Sequence, residues 1–154
     1  MTTANDVRAR AFADHATDGE VALELDRVYD TGNSPWGVPA YRFHILYGGE
    51  RAGTVSLRIG RSELVLRYAG QVGFGVDPRF RGRALAERAV RLILPLAATH
   101  GLSPLWITCN PANLASRRVL ERLGAEYVET VSLPADYDTY AEGEREKCRF
   151  RLEH

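Results

Sequence analysis

The hydrophobic rhythm of the chain changes near residue 80, and the change sets the expected architecture. Upstream, apolar and polar residues alternate. Val21, Leu23 and Leu25 oppose Glu20, Glu24 and Asp26; Tyr41, Phe43, Ile45 and Tyr47 oppose Arg42, His44 and Leu46; Val55, Leu57 and Ile59 follow. A period of two is that of a half-buried strand. The cluster "TGNSPWGVP" (31–39) carries turn chemistry, and "GGER" (48–51) makes a hairpin turn between two such runs. "ELVLRYA" (63–69) and "QVGFGV" (71–76) extend the β region, the second with two glycines that a regular strand would not favour. "ANDVRARAFADHAT" (4–17) reads as a loose helix with a thin apolar face.

Downstream the period is helical: Leu85, Ala89, Leu92, Ile93 and Leu96 form one stripe, with Arg88 and Arg91 off it. The helix is expected to begin at Arg81–Gly82. Pro95 removes a backbone bond, so a kink or an early end near Leu94 is expected. "LWITC" reads as a buried strand and "NLASRRVLERLG" as a short helix stopped by Gly124. "AEYVETVSL" and "EKCRFRL" are two more strands, joined by the polar loop 134–144. The order predicts an α/β (α+β) fold, a mixed sheet with helices packed on it, in a single domain spanning 1–154.

Composition narrows the function classes. Hydrophobic residues make up 45% of the chain and charged ones 26%, an ordinary globular balance. Lys+Arg and Asp+Glu number 20 each, so overall charge favours neither nucleic acid nor an anionic membrane. Every basic residue but Lys147 is an arginine, and the arginines crowd 79–91 and 117–122; Arg over Lys and abundant Ala suit a GC-rich bacterial coding style. Cys109 and Cys148 lie in apolar alternating runs without metal-ligand spacing, so buried thiols in a reduced, cytoplasmic protein are expected, and no metal. No apolar run approaches ~20 residues and no signal pattern opens the chain, so neither export nor a span is expected.

The chemistry concentrates in "VDPRFRGRALAERAV" (76–90). The first turn of a helix leaves N–H groups without intrahelical partners and carries partial positive charge. Gly82 has no side chain and Ala84 nearly none, so an anion can approach the amides of residues 81 to 86, with Arg79, Arg81 and Arg83 around the rim. This is not a nucleotide P-loop, since no G-K-[ST] follows, nor a dinucleotide fingerprint, since "GFGVDP" lacks the third glycine. A pyrophosphate fits; an arginine-rich helix start on the surface is the plainer alternative.

This stretch resembles the acetyl-coenzyme A signature of the GNAT N-acetyltransferases, an apolar strand ending V-x-P and then [QR]-x-x-G-x-[GA], here Arg79–Phe80–Arg81–Gly82–Arg83–Ala84. A second stretch, "NLASRRVLERLGA" (113–125), is similar to the same family's N-x-x-S-x-R-x-x-E-x-x-G-A helix. The likeness covers roughly residues 50–133, and the first 40 residues are compatible with it.

The resemblance implies the GNAT fold, a mostly antiparallel twisted sheet splayed at the cofactor site. It implies acetyl-CoA as cosubstrate and transfer of acetyl to a primary amine by direct attack in a ternary complex. The backbone of Phe74 and Val76, on either side of Gly75, would meet the acetyl carbonyl and the pantetheine. The amides of Arg81, Gly82, Arg83, Ala84, Leu85 and Ala86, with Arg79 beside them, would take the pyrophosphate. Asn113 would contact the pantetheine or cap its helix. Many members carry a tyrosine seven residues after that asparagine to protonate the leaving thiolate; this chain has Leu120 there. Ser116 and Tyr140 are then the catalytic candidates, with Tyr137 or a water as substitutes. Glu24, Asp26, His44 and Glu129 are candidate bases, and the acidic loop "PADYDTYAEGE" is a candidate lining for a cationic acceptor. A small-molecule amine is the expected acceptor, with a protein N-terminus or lysine as the alternative. A non-catalytic acyl-CoA-binding module and a homodimer through the strand-rich half are the rival expectations.

Overall fold

The computed structural model describes residues 2–154. Helix α1 (Ala4–Ala13) leads into β1 (Val21–Tyr29), β2 (Ala40–Tyr47) and β3 (Glu50–Arg58). Strand β4 (Val72–Val76), helix α2 (Leu85–Thr99), strand β5 (Leu105–Cys109), helix α3 (Leu114–Arg122) and strands β6 (Glu126–Ser132) and β7 (Glu146–Leu152) complete the chain. One seven-stranded sheet runs β1-β2-β3-β4-β5-β7-β6, antiparallel throughout except for β4 and β5.

The alternating residues form the core as their period requires. Tyr41, Phe43, Ile45, Val55 and Leu57 are all 0% exposed and share one sheet face, on which α2 lays Ala89, Val90, Ile93 and Leu96. Phe12 of α1 meets Phe43 edge to face at 5.6 Å. The opposite face keeps Arg42, His44, Thr54, Ser56 and Arg58, the intervening residues of β2 and β3.

Where β4 meets β5 the ladder is a single paired position, Val72 with Ile107. Gln71, 1% exposed, fastens this closed end. Its amide donates to the Gly60 carbonyl at 3.0 Å and its side-chain oxygen accepts from the Trp106 N–H at 2.9 Å. The burial of a polar side chain is offset here by both bonds. Beyond Val72 the strands part, while β4 stays paired with β3 through Val76 opposite Gly53. Gly53 is required there, because a β-carbon would stand 2.1 Å from the Gly75 carbonyl oxygen.

Three local expectations are corrected. Residues Leu64–Ala69 are a π-helical segment rather than a strand. Its carbonyls are taken by side chains from outside the segment: Thr108 donates to Tyr68, Arg149 to Leu66 and Arg58 to Ala69. Helix α2 begins at Leu85, not at Arg81–Gly82, because Gly82 and Ala84 adopt left-handed backbone (φ 86° and 56°). Pro95 neither stops nor shortens α2, which continues to Thr99; Pro95 and Arg91, whose carbonyl loses its partner, both lie on the exposed side.

Candidate functional site

A groove of about 880 Å³ runs from the free part of β4 across the 78–84 loop to α3. Pro78 stops β4 and opens a 3₁₀ turn, Pro78–Phe80, which buries Phe80 against the Tyr47 ring at 6.5 Å. With Phe80 anchored, the chain passes through left-handed Gly82 and Ala84 into α2. Ala84 offers no side-chain cap, so the first-turn amides of a fifteen-residue helix receive no hydrogen bond from a side chain at their cap. Gly82 is open, with no heavy atom within 4 Å of where a β-carbon would be. Aligned N–H groups left this way form an anion site.

Most of the residues singled out from the sequence line this groove: Phe74, Gly75 and Val76 from β4, then Arg81, Gly82, Arg83, Ala84, Leu85 and Ala86, then Asn113 and Ser116 from α3. Arg79 is outside it; its guanidinium lies 3.5 Å from Glu50 and stacks on the Phe80 ring. The groove gains Arg118 and Arg122, one turn apart on α3, so four guanidiniums border it. From the sequence these two are helix-surface charges; their four-residue spacing puts both on one face of α3.

Asn113 caps α3, its side-chain oxygen accepting the Ser116 N–H at 3.1 Å. The cap fixes the first turn of α3 and with it Ser116, which borders both this groove and a second cavity. That cavity, about 180 Å³, lies where β4 and β5 part; it shares Phe74, Asn113 and Ser116 with the groove and adds Arg58, Gly73, Thr108, Asn110 and Lys147. Of these five only Gly73 was singled out from the sequence, as one of the two glycines in the 71–76 strand.

The second cavity has a defined charge pattern. Glu144 lies 3.2 Å from the Lys147 ammonium, accepts from Asn110 at 2.5 Å and is bonded by Thr139. Burial pushes the Glu144 carboxyl up, but these partners outweigh it and hold the group below the ordinary carboxylate value. Burial lowers Arg58 to about 10, and no carboxylate offsets it. Burial first, and the neighbouring Cys148 sulfur second, push the Cys109 thiol up to about 11, so this buried cysteine at the cavity edge is a thiol rather than a nucleophilic thiolate.

The remaining candidates lie elsewhere. Tyr140 borders neither cavity, because Arg145 stacks over its ring at 3.8 Å and bonds its carbonyl. Tyr137 is half-buried against Tyr68, ring centres 5.8 Å apart. Glu24 pairs with Arg51, Asp26 with Arg42 and His44, and Glu129 with Arg149. Leu120, at the position of the family tyrosine, is fully buried. Asp136 and Asp138 of the acidic loop are exposed, and no carboxylate lines either cavity.

A sheet parted beside an uncapped helix start, with arginines around the anion site and a second cavity through the gap, defines a domain built to hold an extended phosphorylated cosubstrate. The family model described as "Acetyltransferase (GNAT) domain" matches residues 2–126, and the chain belongs to that family. No curated protein matches it in sequence.

Among solved structures it is similar to the microcin C7 self-immunity acetyltransferase MccE in complex with acetyl-CoA and AMP: 16% identity, TM-score 0.60, 75% of this chain and 61% of that one. RimL, a ribosomal L7/L12 alpha-N-protein acetyltransferase in complex with coenzyme A, gives 15% identity and TM-score 0.65 over 88% of this chain and 95% of that one. The ribosomal-protein-S5-alanine acetyltransferase from Vibrio fischeri gives 24% identity and TM-score 0.58 over 74% of this chain and 61% of that one. Against MccE and the Vibrio enzyme this chain spans about three fifths of the relative's length. The four-guanidinium groove is consistent with the coenzyme, and no metal-holding cluster occurs among the described residues.

Proposed function

We propose that the protein transfers acetyl from acetyl-CoA to a small primary amine within a ternary complex. One observation carries this reading: the groove and the smaller cavity meet at Phe74, Asn113 and Ser116, in the gap between β4 and β5. A cosubstrate laid along the groove with its diphosphate on the amides of residues 81–86 brings its acyl end to that gap. An amine entering through the smaller cavity attacks there.

The chemistry then follows from the groups present. A neutral amine adds to the thioester carbonyl, and a backbone N–H of the unpaired stretch of β4 receives the developing oxyanion. Collapse forms the amide and breaks the C–S bond, and the proton the amine gives up ends on the thiolate. The Ser116 hydroxyl, bordering both cavities, is the donor nearest to hand for the leaving sulfur. With no carboxylate, imidazole or phenol among the lining residues, the amine's first proton leaves through solvent, and holding the reactants together supplies most of the acceleration.

The test is release of free thiol from acetyl-CoA with a panel of small amines, beside peptides presenting an N-terminus or a lysine. Turnover confined to the peptides replaces the small-molecule acceptor. Tight coenzyme binding without turnover on either group leaves a binding module and refutes transfer.

A further inference from the structure

We infer that the acceptor amine carries a carboxylate and that Arg58 receives it; this rests on the acetyl-transfer reading above. Arg58 closes the smaller cavity on the side away from the groove. Its Nη1 braces the π-helical segment, donating to the Ala69 carbonyl at 2.7 Å and the Gly70 carbonyl at 3.1 Å. That brace uses one nitrogen of a group with five N–H bonds. Nε is enclosed without a partner, and Nη2 has no acceptor among the described residues.

The placement is specific. Trp36 lies under the guanidinium, 4.3 Å from its carbon to the ring centre, and fixes its plane. Gly73 makes room for it, since a β-carbon at 73 would stand 2.5 Å from Nη2. The cavity's other cation is already neutralised, as Glu144 and Asn110 hold Lys147. Arg58 is thus a largely buried cation without a counter-ion, in a cavity lined by no acid. Such a charge is unfavourable until an anion arrives, and a planar guanidinium is shaped for a carboxylate. The same cavity reaches Phe74 and Ser116, so the amine of a short amino acid held at Arg58 lies toward the acyl end. At about 180 Å³ beside a groove of about 880 Å³, the cavity suits a small acceptor.

The carboxylate belongs either to a free amino acid or to an acidic first residue of a peptide. The wild-type protein and acetyl-CoA are assayed with glycine, glycinamide and methylamine, with phenylalanine, phenylalaninamide and phenethylamine, and with a glutamate-initiated dipeptide amide. The carboxylate-bearing amine of each set is expected to exceed its neutral partners at least tenfold in kcat/KM; preference for the dipeptide assigns the peptide source. Arg58→Gln is expected to bring the ratio to within twofold while the Kd for acetyl-CoA stays unchanged, and Arg58→Lys to keep part of it. Equal use of carboxylate and neutral amines by the wild type overturns the assignment, as does an undiminished ratio in a folded Arg58→Gln protein. If that variant does not fold, the wild-type ratio decides. If no amine is acetylated at all, transfer fails separately. Titrating N-acetylglycine against N-acetylglycinamide onto the coenzyme A complex then decides Arg58: selective binding of the carboxylate sustains it, and equal binding overturns it.

Discussion

Replacing Gly82 by glutamate tests the anion site most directly. A β-carbon at 82 would meet open space, but φ is +86°. Left-handed backbone costs a residue with a β-carbon about 1–2 kcal/mol. That strain is common to free and bound protein, so it lowers the melting temperature, by roughly 2–8 °C for a domain of this size, without by itself altering affinity. The carboxylate acts on affinity. It competes for the same amides, removing charge-assisted bonds of about 1.5–3 kcal/mol, and it repels the diphosphate. A net loss of at least ~3 kcal/mol raises Kd more than ~100-fold.

Calorimetric titration of acetyl-CoA reads this, with two controls. Gly82→Ala carries the strain without the charge and is expected to stay within about threefold of wild type in Kd, a loss below ~0.7 kcal/mol. Gly101→Glu has the same kind of strain (φ +69°) at the far end of α2 and is expected to lose stability but not affinity. Wild-type affinity in Gly82→Glu refutes the seat; equal losses in Gly82→Ala and Gly82→Glu show that loop geometry, not charge, is responsible.

Three further outcomes are expected. Arg118→Ala should weaken acetyl-CoA binding roughly three- to tenfold at low salt and less at high salt, as screening predicts, whereas Arg79→Ala, whose partner is Glu50, should change Kd less than twofold; the reverse ranking in titrations refutes the groove as drawn. Asn113→Ala should cost about 1 kcal/mol as a lost cap, seen as a lower melting temperature, while Asn113→Asp should restore the melting temperature yet still impair coenzyme binding by setting an anion in the groove; full recovery of both would confine Asn113 to capping. Hydrogen bonds from Arg88 hold the Asp18 carboxyl well below its ordinary 3.8. Its folded value is depressed, so its contribution is present above pH ~4 and lost as pH falls below that; because the group is partly exposed, about 1 kcal/mol is expected. Asp18→Asn should therefore lower the melting temperature at pH 7 and converge with wild type near pH 2, and a constant difference across that range would show that the charge is not responsible.

The parts of this molecule written in local pattern were readable in advance. Period-two alternation located β1, β2 and β3 with their buried faces, and Asn113 and Gly124 bracketed α3. The anion loop was visible because Pro78, Gly82 and the arginines are contiguous. What escaped depends on partners distant in the chain. Residues 64–69 are a short, mostly apolar run that reads as a continuation of the β region, yet two of their carbonyls are met by Thr108 and Arg149, which no window around them contains. Arg58 reads as an ordinary polar-face residue of a strand until Trp36, Gly73 and the gap beside β4 surround it. The start of α2 was misplaced because Ala84, an unusual residue for left-handed backbone, holds it there.

The lone rung between Val72 and Ile107 has a consequence for the protein's lifetime. Strands β1–β4 and β5–β7 are two panels riveted at one edge by Gln71, and any long molecule lying in the seam ties them a second time. Occupancy then adds to folding free energy by mass action, about 2.7 kcal/mol when the free molecule stands at 100 times its Kd. A cell's supply of that metabolite would set how long each copy resists unfolding and proteolysis.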